Sequence, residues 1–257
     1  MLFRSFDFWA NYALRWKGAT YAVPQSPDRV CVMDELSKKE MIAEGFREES
    51  LTVTGQPYLE YLFKAGAKEI YANSSTHSMR VLFLSQPFDI IQPKLGDKHP
   101  VEILADVLNR HHQETREPVS LMIKLHPKEA MDARLAEIVS DLARKGLDVH
   151  LSDRFTSVAE LIEDYDVVVG FTTIALFEAR ARGKRVLSLD LCECLPSLQN
   201  AMRQAGIAVV PCDSVELGRT IAHDCGVKEL PVPLYSGATE KIVKEIQTML
   251  EKVEANR

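Results

Sequence analysis

Gly170-Phe171-Thr172-Thr173-Ile174-Ala175-Leu176-Phe177-Glu178-Ala179-Arg180-Ala181-Arg182-Gly183 places a glycine, two hydroxyls and a carboxylate at spacings that suit a nucleotide. The segment follows Val167-Val168-Val169, an apolar run bounded by Asp166 and Gly170 that reads as a buried parallel strand. Gly170 then leads through Thr172 and Thr173 into an Ala-rich helix that stops at Gly183. A helix starting at the carboxyl end of a strand presents unpaired N–H groups and the positive end of its dipole, which attract phosphate. One of the two threonines is expected to be the N-cap, a role compatible with phosphate binding because neighbouring N–H groups stay available. Glu178 has two competing roles: holding ribose hydroxyls, or pairing with Arg182 at i+4.

Lys124-Leu125-His126-Pro127 ends a second apolar run. At that position His126 would offer a ring nitrogen to a phosphate or a leaving oxygen, and Pro127 would fix the backbone where strand gives way to helix. The alternative is a histidine that caps a helix or satisfies a loop carbonyl. Ser85-Gln86-Pro87 follows a third run and offers a small side chain and a backbone donor, but it lacks the glycines of a dinucleotide fingerprint.

These segments need a scaffold that brings strand ends together. From Met79 onward the sequence alternates candidate strands (80–84, 119–125, 148–151, 167–169, 185–189, 208–210) with candidate helices (99–112, 128–145, 158–164, 174–182, 196–205). Such alternation predicts parallel strands joined by right-handed crossovers, an α/β fold with an open, doubly wound, Rossmann-like sheet. In the strand order 3-2-1-4-5-6 the loops at 85–88 and 170–173 meet at the switch point, where such sheets bind ligands.

The N-terminal part differs. A strand at 29–33, a helix at 35–44 closed by Gly45, a strand at 51–54 and a helix at about 58–64 after Gly55-Gln56-Pro57 are too few to close a sheet. They read as the end of a second, partial Rossmann-like domain, giving one domain over residues 1–72 and another over 73–257, with the polar stretch 71–78 as linker. Phe3, Phe6, Phe8, Trp9, Tyr12, Leu14 and Trp16 have no sheet to cover, so the expectation is that they pack on missing upstream strands, on a second copy or on another subunit. An amphipathic helix at 240–254 closes the sequence, with Ile242, Ile246, Met249 and Val253 on one side.

Composition narrows the classes. Over 257 residues, 46% hydrophobic and 26% charged content is that of an ordinary soluble globular protein. A net charge of −6 argues against nucleic acid as a partner. No apolar run approaches the ~20 residues needed to span a bilayer. Residues 1–16 are interrupted by Arg4, Asp7, Asn11 and Arg15 and do not form a signal peptide. Five irregularly placed cysteines suit free thiols in a reducing cytosol, and Cys192-Glu193-Cys194 has neither thioredoxin nor zinc-knuckle spacing, so neither a metal nor another cofactor is expected. Asp97 and His99 resemble helix-cap chemistry, His111-His112 suits a solvated helix end, and Ser-His-Asp, P-loop and HExxH patterns are absent.

With these residues in view, the sequence resembles the GT-B glycosyltransferases. Gly170, Thr172, Thr173, Glu178-Ala179 and Gly183-Lys184-Arg185 look like the pattern that holds donor phosphate and ribose, with Arg185 where proline is common. His126-Pro127 with Thr172-Thr173 is similar to the His-Pro and Ser-Ser/Thr motifs of bacterial sialyl-, polysialyl- and Kdo-transferases and CDP-glycerol polymerases. Val53-Thr54-Gly55-Gln56-Pro57 looks like the end of their N-terminal domain.

The resemblance implies a metal-independent transferase in surface polysaccharide or glycoconjugate synthesis. Its donor would be CMP-, CDP- or UDP-linked, and its acceptor a sugar or glycolipid. His126 would act in catalysis, and Ser85, Gln86, Lys124, His126, Pro127, Gly170, Thr172, Thr173 and Glu178 in donor binding. It also implies a cytoplasmic location at the inner face of the membrane, with peripheral association. The family's catalytic base comes from early N-terminal strands that this sequence lacks, so the expectation is donor binding without transfer. Two alternatives stand beside this reading: a UDP-sugar 2-epimerase, and a non-catalytic nucleotide-binding or interaction module.

Overall fold

The computed structural model describes residues 28–66, 78–86, 99–126, 129, 133–153, 155–190, 196–211, 214–222 and 235–255. The aromatic segment before residue 25, most of the linker stretch, Pro127 and the Cys192-Glu193-Cys194 triplet lie outside them. The chain divides into two compact units, one formed by Met1–Ala65, Leu195–Ala201 and Val232–Arg257, the other by Gly66–Cys194 and Met202–Pro231.

In the first unit β1 (Val30–Val32) and β2 (Leu51–Val53) form a two-stranded parallel sheet. Between them α1 (Glu35–Ala43) is capped by Asp34, whose carboxylate accepts the Ser37 N–H at 2.7 Å. Val30, Val32, Met41, Phe46 and Leu51 make the small core. After β2 the Gly55-Gln56-Pro57 turn starts α2 (Pro57–Gly66), and Gln56 Oε1 accepts the Tyr58 N–H at 2.6 Å. Gly55 is required there. Its φ is +92°, and a Cβ would stand 2.9 Å from that of Ala238 at the start of the last helix (Ala238–Ala255).

Glu60 of α2 is buried at the same junction. It accepts Gly237 N–H at 2.8 Å, Thr239 N–H and Oγ1 at 2.9 Å each, and Lys64 Nζ at 2.6 Å. Burial pushes its carboxyl upward, but the bonds from Lys64, Thr239 and Gly237 prevail and hold the pKa at about 2.

The second unit is an α/β fold built on a six-stranded, wholly parallel sheet. Its strands are β3 (Met79–Leu84), β4 (Val119–Lys124), β5 (Asp148–Ser152), β6 (Val167–Gly170), β7 (Arg185–Asp190) and β8 (Ala208–Pro211), arranged β5-β4-β3-β6-β7-β8. Numbered within the sheet this is 3-2-1-4-5-6, the expected order. The central strands are runs of apolar residues, because a strand buried on both faces reads as a run rather than an alternation. Val81, Leu82 and Phe83 are fully buried in β3, as are Val168 and Val169 in β6. The crossovers carry α3 (Pro100–Thr115), α4 (Ala133–Arg144), α5 (Val158–Asp164), α6 (Ile174–Ala181) and α7 (Pro196–Gln204), and α8 (Ser214–Ala222) follows the last strand. The last helix, α9, is the Ala238–Ala255 segment of the first unit.

His99 caps α3 in a reciprocal box with Glu102, so the cap expected there is present. The amino ends of the two central strands are clamped: Asp166 accepts the Arg80 backbone N–H at 3.0 Å and its guanidinium at 3.1 and 3.2 Å.

Two elements depart from the sequence reading. Glu129, within the helix expected from Lys128, lies outside α4, and its carboxylate turns back onto the preceding loop. α8 was not foreseen. Only Leu217 and Ile221 define its apolar side, and Gly218 interrupts the pattern. Among the described residues no helix is long and apolar enough to cross a membrane.

Candidate functional site

Because β4 lies on one side of β3 and β6 on the other, the switch point of the sheet falls between β3 and β6, the place where such sheets bind ligands at their carboxyl edge. Ser85 leaves β3 still in register, its N–H donating to Lys124 O at 2.9 Å. Gln86 follows, and its Oε1 accepts from Thr172 Oγ1 at 3.5 Å, joining the β3 and β6 loops across the switch point.

Gly170 ends β6 in close quarters. A Cβ there would meet Leu176 Cδ2 and Leu84 Cβ at 3.3 Å and Leu84 O at 3.4 Å, so a side chain at this position would press on both leucines. Phe171 turns inward against Phe83, ring edge to face at 5.8 Å, and its carbonyl accepts from the buried Ser188 hydroxyl at 2.6 Å. With the loop pinned on both sides, the threonines divide the roles. Thr173 caps α6, accepting the Ala175 N–H at 3.4 Å, while Thr172 turns to Gln86. The first turn of α6 follows this loop directly: its Ala175 N–H bonds the Thr173 hydroxyl, its Leu176 N–H bonds the Thr173 carbonyl at 3.1 Å, and the positive end of the helix dipole lies next to the switch point.

At the end of β4 Lys124 is buried, and its ammonium donates to Leu125 O at 2.9 Å. Desolvation lowers its pKa, and the carboxylates of Asp153 and Glu129 oppose that effect. The half-buried His126 donates its backbone N–H to Glu129 Oε2 at 2.8 Å, and its carbonyl accepts the Glu129 N–H at 2.8 Å. The other Glu129 oxygen accepts Ser85 Oγ at 2.9 Å. Ser85 thereby commits its one proton to Glu129.

Glu178 is half-buried on α6 between the buried Phe177 and Ala179. The guanidinium of Arg182, the ion-pair partner suggested by spacing, binds Glu163 at 3.1 Å.

Of the residues singled out in the sequence, Ser85, Gln86, Lys124, His126, Gly170, Thr172 and Thr173 stand at the carboxyl ends of three adjacent strands, and Glu178 lies in the helix that follows. Glu129 was missed. Its signal was the spacing: a glutamate three residues after His126 can reach back to that residue's N–H as in a capping box, but the helical pattern drawn from Lys128 concealed it. Among the described residues no cluster of three or more His, Cys, Asp or Glu could hold a metal ion.

No protein-family model and no curated protein sequence matches the chain. Solved structures do. The S. aureus MnaA–UDP co-structure is 15% identical with a TM-score of 0.61, over 87% of this chain and 60% of that one. The Neisseria meningitidis UDP-GlcNAc 2-epimerase bound to UDP-GlcNAc is 14% identical with a TM-score of 0.60, over 93% and 67%. The Methanocaldococcus jannaschii UDP-GlcNAc 2-epimerase in complex with UDP-GlcNAc and UDP is 12% identical with a TM-score of 0.56, over 86% and 61%. The chain thus spans about three fifths of the length of the first of these. The likeness establishes the fold: a Rossmann-like α/β architecture of GT-B type.

Proposed function

We propose that the chain binds a nucleotide-activated sugar, with UDP as its nucleotide, at the carboxyl edge of the six-stranded sheet. The observation that carries this is the meeting of Thr172 with Gln86 at the switch point, directly before the first turn of α6. The positive end of the α6 dipole is then placed where a diphosphate can lie. Solved structures of the same fold that contain UDP or UDP-GlcNAc support the choice of nucleotide.

In the transferase reading, His126 and the α6 N-terminus stabilise negative charge on the departing diphosphate, which is electrostatic catalysis without a metal. The acceptor is a sugar or glycolipid. The His-Pro pair at 126–127 and the paired threonines favour this reading.

A 2-epimerase reading has its own support, in the solved 2-epimerases of the same fold. It predicts that UDP-GlcNAc incubated with the protein gives rise to its C2 epimer in the NMR spectrum. The transferase reading predicts no epimer.

Calorimetry with UDP, CDP, CMP and GDP tests the shared claim. UDP is expected to bind most tightly and, at a hundred times its Kd, to stabilise the fold by ~2.7 kcal/mol. Absence of binding by all four at millimolar concentration would overturn it.

A further inference from the structure

Glu129 is tied to both neighbouring strand ends. One carboxylate oxygen accepts the His126 N–H at 2.8 Å, the other accepts Ser85 Oγ at 2.9 Å, and the Glu129 N–H donates to His126 O at 2.8 Å. The bridge therefore joins the loop after β4 to the loop after β3, one strand from the switch point. Either oxygen alone could be replaced by water. Two oxygens of one group holding a backbone amide and a hydroxyl of adjacent strands fix a distance that neither loop fixes by itself. The carboxylate also lies close enough to Lys124 to support that buried ammonium.

We propose that Glu129 is the positioning residue of the nucleotide site, holding the Lys124–His126 strand end in register with Ser85 so that these groups meet the ligand already ordered. The proposal rests on the nucleotide-binding reading above. It assigns Glu129 no contact with ligand. Its contribution is to hold in advance groups that binding would otherwise have to immobilise.

The test uses the full chain and two readouts. The first, without ligand, is hydrogen exchange at the His126 amide. Glu129→Ala should speed it at least tenfold, and Glu129→Gln, which keeps an acceptor for that N–H, should hold it within about twofold of the parent. The second is UDP affinity by calorimetry, expected to fall five- to tenfold in Glu129→Ala and to be rescued by Glu129→Gln. Circular dichroism melts confirm that each variant is folded. Should Glu129→Ala not fold, the glutamine variant decides alone: His126 protection kept within twofold supports the bridge, and exchange accelerated tenfold overturns it. Unchanged exchange and affinity in Glu129→Ala would overturn the proposal, as would a glutamine variant as impaired as alanine. A parent chain that binds no UDP would defeat the nucleotide reading instead, while the ligand-free exchange would still decide whether the bridge positions His126.

Discussion

Glu60 in the first unit and Glu129 at the edge of the six-stranded sheet both accept a backbone N–H and a bond from a distant part of the chain, yet their surroundings are opposite. Glu60 is buried, and its two oxygens take four bonds, three of them from the residues that open α9. Glu129 is half-buried, and its oxygens hold one amide and one hydroxyl at strand ends on the carboxyl edge of the sheet. A carboxylate enclosed by donors that serve only the fold is a rivet. A carboxylate whose partners are themselves placed to meet a ligand sets geometry for binding. The contrast yields an ordered set of outcomes: variants at the first site should shift stability and leave ligand affinity alone, and those at the second should shift affinity more than stability.

The largest effect is expected at the rivet. Glu60→Ala leaves the Gly237 and Thr239 N–H groups without their acceptor in a part-buried setting, a loss of about 2 kcal/mol. Chemical denaturation measures it, and UDP affinity of the folded fraction should not move. A change below about 1 kcal/mol would mean that water replaces the carboxylate and that the contrast is overdrawn.

The same residue sets an acid dependence. A carboxyl held at about 2 in the folded chain, against its ordinary 4.5, contributes stability that is fully present above pH 4.5 and is lost as the pH falls toward 2. Thermal melts from pH 6 to pH 2.5 should therefore decline mainly below pH 4.5, and Glu60→Gln should flatten that decline. A midpoint that falls equally in parent and variant would place the acid sensitivity elsewhere.

How much of this contrast a sequence can reveal depends on the range of the interaction. Most of the six strands were legible because each is a short apolar run closed by a polar or glycine residue, as Val167–Gly170 is after Asp166, and their order follows from the usual winding of such α/β sheets. The strand-end residues were legible for the same reason: once the order is known, whatever follows Leu84, Lys124 and Gly170 must share one edge. Glu60 was not, because its partners lie 177 and 179 residues away and nothing in the local pattern marks an i+4 glutamate as a distant cap. Glu129 was hidden by a helical periodicity that its own backward bond interrupts. The division of roles between Thr172 and Thr173 needed coordinates, since adjacent threonines are equivalent as sequence.

At the edge itself His126→Ala is expected to weaken UDP about tenfold, or ~1.4 kcal/mol, with little change in melting temperature. Calorimetry and melts on the same sample separate the two quantities. Equal affinity in parent and variant would remove His126 from the site, though the backbone bond to Glu129 would remain.

The smallest expected effect sharpens the contrast most, because it concerns a third glutamate. Glu178 sits one turn into α6, directly beyond the loop that carries Thr172 and Thr173, and is half-buried between Phe177 and Ala179. Arg182, its neighbour at i+4, directs its guanidinium to Glu163. If the carboxylate accepts ribose hydroxyls, Glu178→Gln exchanges a charged acceptor for a neutral one, which costs about 1 kcal/mol, or roughly fivefold in affinity. The loss should appear with UDP and vanish with its 2′,3′-dideoxy analogue, which lacks the hydroxyls to be held. Equal losses for both ligands would mean that Glu178 acts through the fold, as Glu60 does.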